Sequence, residues 1–205
     1  MILLDYMQAK KLLDKYGIRS VDSKYVSSAE DAVAFAKGRK IVLKLISEKA
    51  LHKSKVGLVK LGLEKKEDVL AAYNDLVKRG KKLRPYKMLA QKMADNGVEI
   101  IIGGNTDQQF GKFLLVGLGG IYVETFKDVQ LRLCPITKND ALNMLSELKS
   151  GRIITHNGVA EPNVTALLLK VSKMLDENKK IAELDLNPVI VREDSYDVVD
   201  IRLIE

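Results

Sequence analysis

Short aliphatic runs, each cut off by glycine, proline or charge, alternate along this chain with amphipathic stretches of helical spacing, and that alternation confines it to mixed α and β folds. The clearest run is 40–46, KIVLKLI, bounded by Gly38 and by polar residues from Ser47 onward. It predicts a strand with a lysine, Lys44, in its middle. Upstream, residues 5–16 place Met7, Leu12 and Leu13 near one face and stop at Gly17, which predicts a short helix. Ser27-Ser28-Ala29-Glu30 reads as a capping box for a second helix reaching Lys37. A glycine-broken strand at 56–63 and a helix at 66–79 complete an α+β unit over roughly 21–85.

The remainder repeats the mixture on a larger scale. Strands are predicted at 86–92, 98–102, 113–116 and 129–134. Thr137 with Asp140 caps a helix at 138–148, and a longer helix follows at 161–177. Three last strands fall near 182–186, 188–192 and 197–203. The 205 residues are 46% hydrophobic and 30% charged, a balance that excludes disordered and collagen-like chains.

Lys and Arg number 34 against 27 Asp and Glu, a net charge of +7, so an anionic partner is expected: nucleic acid, a nucleotide, a phosphorylated metabolite or an acidic membrane surface. The single cysteine, Cys134, reads as a small core residue; it excludes an intrachain disulfide and a cysteine-based zinc site and fits a reducing compartment. No apolar run approaches the ~20 residues that span a bilayer, and the first residues carry no signal-peptide pattern. A cytoplasmic protein is expected.

The segment ELDLNPVIV, 183–191, followed by VVD, 198–200, is the richest in chemistry. On a strand Asp185 and Asn187 project from one face. A hairpin over 193–196 would bring Asp200 opposite Asn187, and oxygen ligands converging from adjacent strands suit magnesium holding a polyphosphate. A strand-end turn with solvated carboxylates fits the same residues. Lys44 is either an edge-strand lysine that discourages aggregation or a lysine reaching for phosphate, because an unpaired buried ammonium is very costly.

His52, in the polar stretch ALHKSKVG, is either a solvated loop residue or a phosphoryl acceptor whose accumulating charge Lys53 and Lys55 offset. His156 sits in a turn without such neighbours. The loop Gly117-Leu118-Gly119-Gly120 lets backbone amides approach an anion, but matches neither the Walker A nor the dinucleotide fingerprint. Glu124, Asp128 and Arg132 downstream fit a site or a charged surface equally. The basic run 78–84, KRGKKLR, contains no aromatic residue and reads as a solvated helix end rather than a nucleic-acid patch.

Taken in order, IVLKLIS, LHKSKVGLVKLGL, QKM with GVEIIIG, TDQQFGKF, VGLGGIYVE with KDVQLRLCP, and ELDLNPVIV closed by VVDIRLI resemble the ATP-grasp β subunit of ADP-forming acyl-CoA synthetases. That family is found mainly in archaea and is related to succinyl-CoA synthetase. The resemblance implies an α+β ATP-grasp fold in which a smaller subdomain, 21–88, and a larger one, 1–20 with 89–205, clamp ATP or ADP. By match, Lys44 binds phosphates, Gln91, Lys92 and Met93 form an adenine-contacting hinge, Glu99 lies at the ribose or phosphate side, and Asn187 and Asp200 hold magnesium, with Asp185 nearby.

His52 falls on the histidine of a mobile loop that carries a phosphoryl group in that family. The resemblance further implies a CoA-binding α subunit bearing the principal phosphohistidine, in a hetero-oligomer of α2β2 type, with neither nucleic acid nor membrane as partner. Three departures stand out: Gly57-Leu58 where a double glycine is usual, Lys92 where the hinge commonly has glutamate, and Gly151-Arg152 with 155–158, which match the usual arginine-glycine region only loosely. Rival readings are a stand-alone ATP-grasp ligase that makes an acyl phosphate without a phosphohistidine, and a basic nucleic-acid-binding protein.

Overall fold

A computed structural model describes residues 2–47, 49, 57–120 and 128–205. The chain divides into two compact units, Val21–Met93 and Met1–Ser20 with Ala94–Glu205.

In the smaller unit, strands β1 (Ser23–Val26), β2 (Ile41–Ile46), β3 (Val59–Leu63) and β4 (Lys87–Lys92) form an antiparallel sheet in the order β1-β4-β2-β3. Helices α2 (Ala29–Ala36) and α3 (Lys66–Gly80) cover one face; α1 (Tyr6–Lys15) belongs to the larger unit. Alternation along the strands decides what each face carries. Ile41, Leu43 and Leu45 of β2, with Met88 and Ala90 of β4, point to the helices and pack against Ala32, Ala36, Val69, Ala72 and Leu76. The cap of α2 is displaced by one residue from the expected box: Ser28 Oγ accepts from the Asp31 N–H at 3.1 Å. β1 was not predicted, since SKYV is short and half polar; its pairing with β4 makes it a strand.

In the larger unit, β5 (Val98–Asp107), β6 (Gly111–Leu118), β7 (Val129–Leu133), β8 (Glu183–Val191) and β10 (Ile201–Ile204) form an antiparallel sheet ordered β10-β8-β5-β6-β7, and β9 (Tyr196–Val198) pairs with β8. Helices α4 (Lys138–Glu147) and α6 (Glu161–Glu177) pack on one another, joined by the short α5 (Gly151–Ile154), which was not predicted. Thr137 and Asp140 form the expected capping box. The core joins Ile100, Ile102, Leu114, Val116, Leu184 and Leu186 of the sheet to the buried stripe Leu167, Leu168, Val171, Met174 and Leu175 of α6, all at most 1% exposed.

β8 corrects the expectation of two strands. It runs unbroken through Asn187-Pro188, because the residue that proline costs the ladder is taken up in a bulge: Ile100 pairs with Val189 and Ile102 with Leu186, leaving one extra residue on β8. Along its other edge the register is regular, with Leu186 opposite Ile201 and Val189 opposite Val198.

Candidate functional site

The smaller unit offers Lys44, Gln91, Lys92 and Met93. Lys44 lies on β2 with Val59 of β3 on one side and Leu89 of β4 on the other, so it is on an inner strand. That removes the edge-strand explanation. Its side chain leaves the sheet on the face away from α2 and α3, half-buried, and Gln91 shares that face, paired with Val42 and Ser23. Gln91 is 1% exposed and its Nε2 donates to Ser23 Oγ at 3.1 Å. Lys92 and Met93 close β4: the Lys92 N–H donates to the Asp22 carbonyl at 2.8 Å and the Met93 N–H to the Lys40 carbonyl at 3.0 Å. The predicted hinge is therefore held by backbone bonds on both sides.

His52 lies outside the described residues. Among the described residues that follow, the departure at Leu58 has a packing reason. Leu58 is buried in the helix-facing core, and its carbonyl accepts from the Leu45 N–H at 2.9 Å. A second glycine there would leave that core position empty.

The larger unit offers Glu99, Asp185, Asn187 and Asp200. The regular β8–β10 register brings Asn187 beside Asp200: the Asn187 N–H donates to the Asp200 carbonyl at 3.3 Å, and the Val199 N–H to the Pro188 carbonyl at 3.0 Å. Asn187 is exposed and Asp200 half-buried, with Asp200 Oδ1 accepting from the Ile201 N–H at 3.2 Å. Asp185 pairs with Arg202 of β10 and Gly103 of β5. Glu99 is exposed on β5 opposite Ile190, three residues along β8 from Asn187, or about 10 Å. Among the described residues no group of three or more His, Cys, Asp or Glu stands together as a metal cage. One carboxylate and one amide oxygen side by side instead fit an ion that completes its shell with substrate phosphates and water, as magnesium does.

The glycine loop has a packing reason. A Cβ on Gly117 would sit 2.7 Å from the Asp128 carbonyl, and one on Gly119 3.0 Å from the Glu99 backbone, whose carbonyl accepts the Gly119 N–H at 2.7 Å. Gly120 has φ +68° and borders the Glu99 carboxylate. Of the charged residues downstream, Glu124 lies outside the described residues. Asp128 accepts from the Lys149 and Ser150 N–H groups at 3.0 and 2.7 Å and from Ser150 Oγ, which ties β7 to the start of α5. Burial opposes its ionisation, but these bonds outweigh burial and hold its pKa below the ordinary aspartate value. Arg132 grips Glu147 at the end of α4 through two contacts of 2.7 Å. Both are fastenings within the unit. Cys134 is only half-buried; burial pushes its thiol pKa up. His156 lies in the turn expected for it, at φ 48°, with Nε2 3.2 Å from the Val191 carbonyl.

Two features escaped the sequence. Lys112, at the start of β6 just before the apolar run 113–116, is 8% exposed and donates to the Asn178 and Ile181 carbonyls at 2.5 and 2.8 Å beyond the end of α6. Burial, with the Lys179 charge, lowers its pKa. The second is an ion triad, in which Asp197 meets Arg19 Nε at 2.8 Å and Arg192 Nη2 at 2.6 Å. The basic run 78–84 ends α3 and forms a single 3-10 turn, Lys81–Leu83; Arg79 pairs with Asp75 at 2.8 Å. Cations there complement the helix C-terminus. Among the described residues no helix is long and apolar enough to cross a membrane.

Comparison with known proteins agrees with this architecture. The family model of an ATP-grasp domain matches residues 2–204. The β subunit of ADP-forming acetate–CoA ligase I of Pyrococcus furiosus is 36% identical over 207 residues, covering 96% of this chain and 89% of that one. The ADP-forming acetate–CoA ligase I of Archaeoglobus fulgidus is 37% identical, but there the match covers 94% of this chain and 30% of the relative. Among solved structures, acetyl-coenzyme A synthetase 1 of Candidatus Korarchaeum cryptofilum, in complex with coenzyme A and Ca-AMPCP, superposes with a TM-score of 0.91 at 37% identity over 98% of this chain and 93% of that one. A further structure of it, with Mg-AMPPCP and a phosphohistidine segment pointing towards the nucleotide site, gives 0.84 at 36% identity over 98% and 92% of the two chains. The two α+β units, their antiparallel sheets and a match along nearly the whole length make this chain a member of the ATP-grasp domain family, akin to the β subunits of ADP-forming acetate–CoA ligases.

Proposed function

We propose that this chain is the nucleotide-binding β subunit of an ADP-forming acyl-CoA synthetase, acting on acetyl-CoA or a related small acyl-CoA. The net reaction is acyl-CoA + ADP + phosphate ⇌ carboxylic acid + ATP + CoA. The observation that carries the reading is the near full-length match to a ligase β subunit. The relative in which the matched part is 30% of a longer chain supports a partner that supplies the remainder, here a CoA-binding α subunit with the principal phosphohistidine in an α2β2 assembly.

The chemistry divides among named residues. Phosphate displaces CoA on the partner to give an acyl phosphate, and a histidine takes the phosphoryl group as the carboxylate leaves. His52 then receives it on a ring nitrogen and passes it to the β-phosphate oxygen of ADP, giving ATP and free imidazole. Lys44, on its inner strand, offsets phosphate charge. Gln91, Lys92 and Met93 border the adenine, and Glu99 the ribose or phosphates. Asn187 and Asp200 offer oxygens to magnesium, which, when bound, neutralises the polyphosphate. A carrier histidine has a physical purpose because it keeps a labile phosphoryl group out of water between separate sites. A cytoplasmic location follows from this metabolism.

The experiment is phosphorylation of the complex reconstituted with its α subunit, followed by mapping of acid-labile phosphate. The expected result is phosphate on His52 and loss of ADP phosphorylation in His52→Ala. A wild-type rate in that variant contradicts the carrier role and favours direct transfer.

A further inference from the structure

The ion triad, with Asp197 buried at its centre, is placed where both connections to the smaller unit leave the larger one. The outgoing connection ends at Ser20 and the returning one begins at Ala94. On the outgoing side the Val198 N–H donates to the Arg19 carbonyl at 3.1 Å, Ser20 bridges Val198 in parallel, and Arg19 Nε reaches Asp197 Oδ1 at 2.8 Å. On the returning side Arg192 Nη1 reaches the Asp95 carbonyl at 3.5 Å while its Nη2 binds Asp197 Oδ2 at 2.6 Å. Gly97 then passes so close to the Val191 carbonyl that a Cβ would collide with it. Each oxygen of Asp197 thus holds one arginine, and each arginine holds one connection.

The same aspartate stands three residues before Asp200. β9 has only three residues, and its hold on the larger unit comes from β8, from Arg19 and from this carboxylate. Arg192 is itself fixed by Ser195, through Nε to Oγ at 3.1 Å and through its N–H to the Ser195 carbonyl at 2.8 Å. We propose that Asp197 is a positioning residue: through Arg19 and Arg192 it sets the two connections and the β8–β9 pair, and thereby the place of Asp200 beside Asn187. This rests on the magnesium–nucleotide role proposed above for those two residues. A purely structural buried ion pair would cost stability when broken and leave the metal dependence of binding untouched. A residue that orients a metal ligand changes metal affinity, commonly by 10-fold or more.

The test titrates magnesium against ADP binding to the full chain by calorimetry, with thermal unfolding measured in parallel. Asp197→Asn is expected to raise the magnesium concentration at half-maximal binding about tenfold. ADP binding in EDTA should stay at the wild-type level. Arg19→Ala, which removes one exposed arm, should shift the midpoint less and in the same direction. Arg132→Ala, which breaks the ion pair to Glu147 on another edge of the unit, should lower the unfolding temperature without moving the midpoint. An unchanged midpoint in folded Asp197→Asn, or in Arg19→Ala if the first variant does not fold, overturns the proposal, as does an equal shift in Arg132→Ala. If the wild-type chain itself shows no magnesium-dependent ADP binding, the functional reading falls first and this proposal with it.

Discussion

Lys44 and Lys112 show how little a residue's type says before its neighbours are known. Lys44 interrupts an aliphatic strand, and Lys112 stands at the start of another. Lys112 is spent on two backbone carbonyls beyond a helix end, whereas Lys44 stands on an inner strand on the face opposite the helices. Replacing Lys44 by methionine keeps the length of the side chain and removes the charge. The expected outcome is an unfolding temperature within a few degrees of wild type and nucleotide affinity at least about tenfold weaker, on the ~1.5–3 kcal/mol that a charged hydrogen bond contributes. Calorimetric titration with ADP checks it, and unchanged affinity would return Lys44 to a structural role. Sequence could not reveal the role of Lys112, because its burial and its partners beyond the end of α6 are tertiary facts. Leu58 was legible only as a departure from the expected double glycine; its place in the core explains it.

At the scale of elements, caps and periodicity carried most of the information. Thr137 with Asp140 located α4, and Gly17 the end of α1, since these signals are local. β8 was divided at Asn187-Pro188 because proline stops most strands, and only the pairing with β5 reveals the bulge that absorbs it. The link from β7 to α5 through Asp128 was likewise invisible, as its partners are more than 20 residues away. It has a pH signature. The folded-state pKa of Asp128 is depressed below its ordinary 3.8, so its contribution is complete above that value and is lost as pH falls through the lower folded pKa. Asp128→Asn should therefore be less stable than wild type by a constant margin at neutral pH, a margin that closes below about pH 4. Urea unfolding at pH 7 and pH 3 measures it, and a margin equal at both values contradicts the assignment.

For the whole molecule, the change from the first helix–strand–helix group to the second, larger one marked two units, but the expected boundary at 88 falls inside β4, and the structure divides the chain after Met93 with β4 wholly in the smaller unit. The Asn187–Asp200 pairing was legible too, because a hairpin fixes its own register. What sequence could not supply was the tie at Arg19, Asp197 and Arg192, which joins two distant segments, Arg19 near the start of the chain and the hairpin that carries Arg192 and Asp197. Of the excess of seven positive charges, the proposed phosphate chemistry would engage only Lys44, Lys53 and Lys55, and other cations, such as Arg79 and Arg132, are engaged in local ion pairs. The central claim is that this chain is the nucleotide half of a two-part enzyme. Its most direct test is ATP formation from acetyl-CoA, ADP and phosphate by this chain alone, by a CoA-binding α subunit alone and by the two mixed. The account predicts magnesium-dependent ATP formation only in the mixture; ATP formation by this chain alone, or none in a mixture that demonstrably assembles, would contradict it.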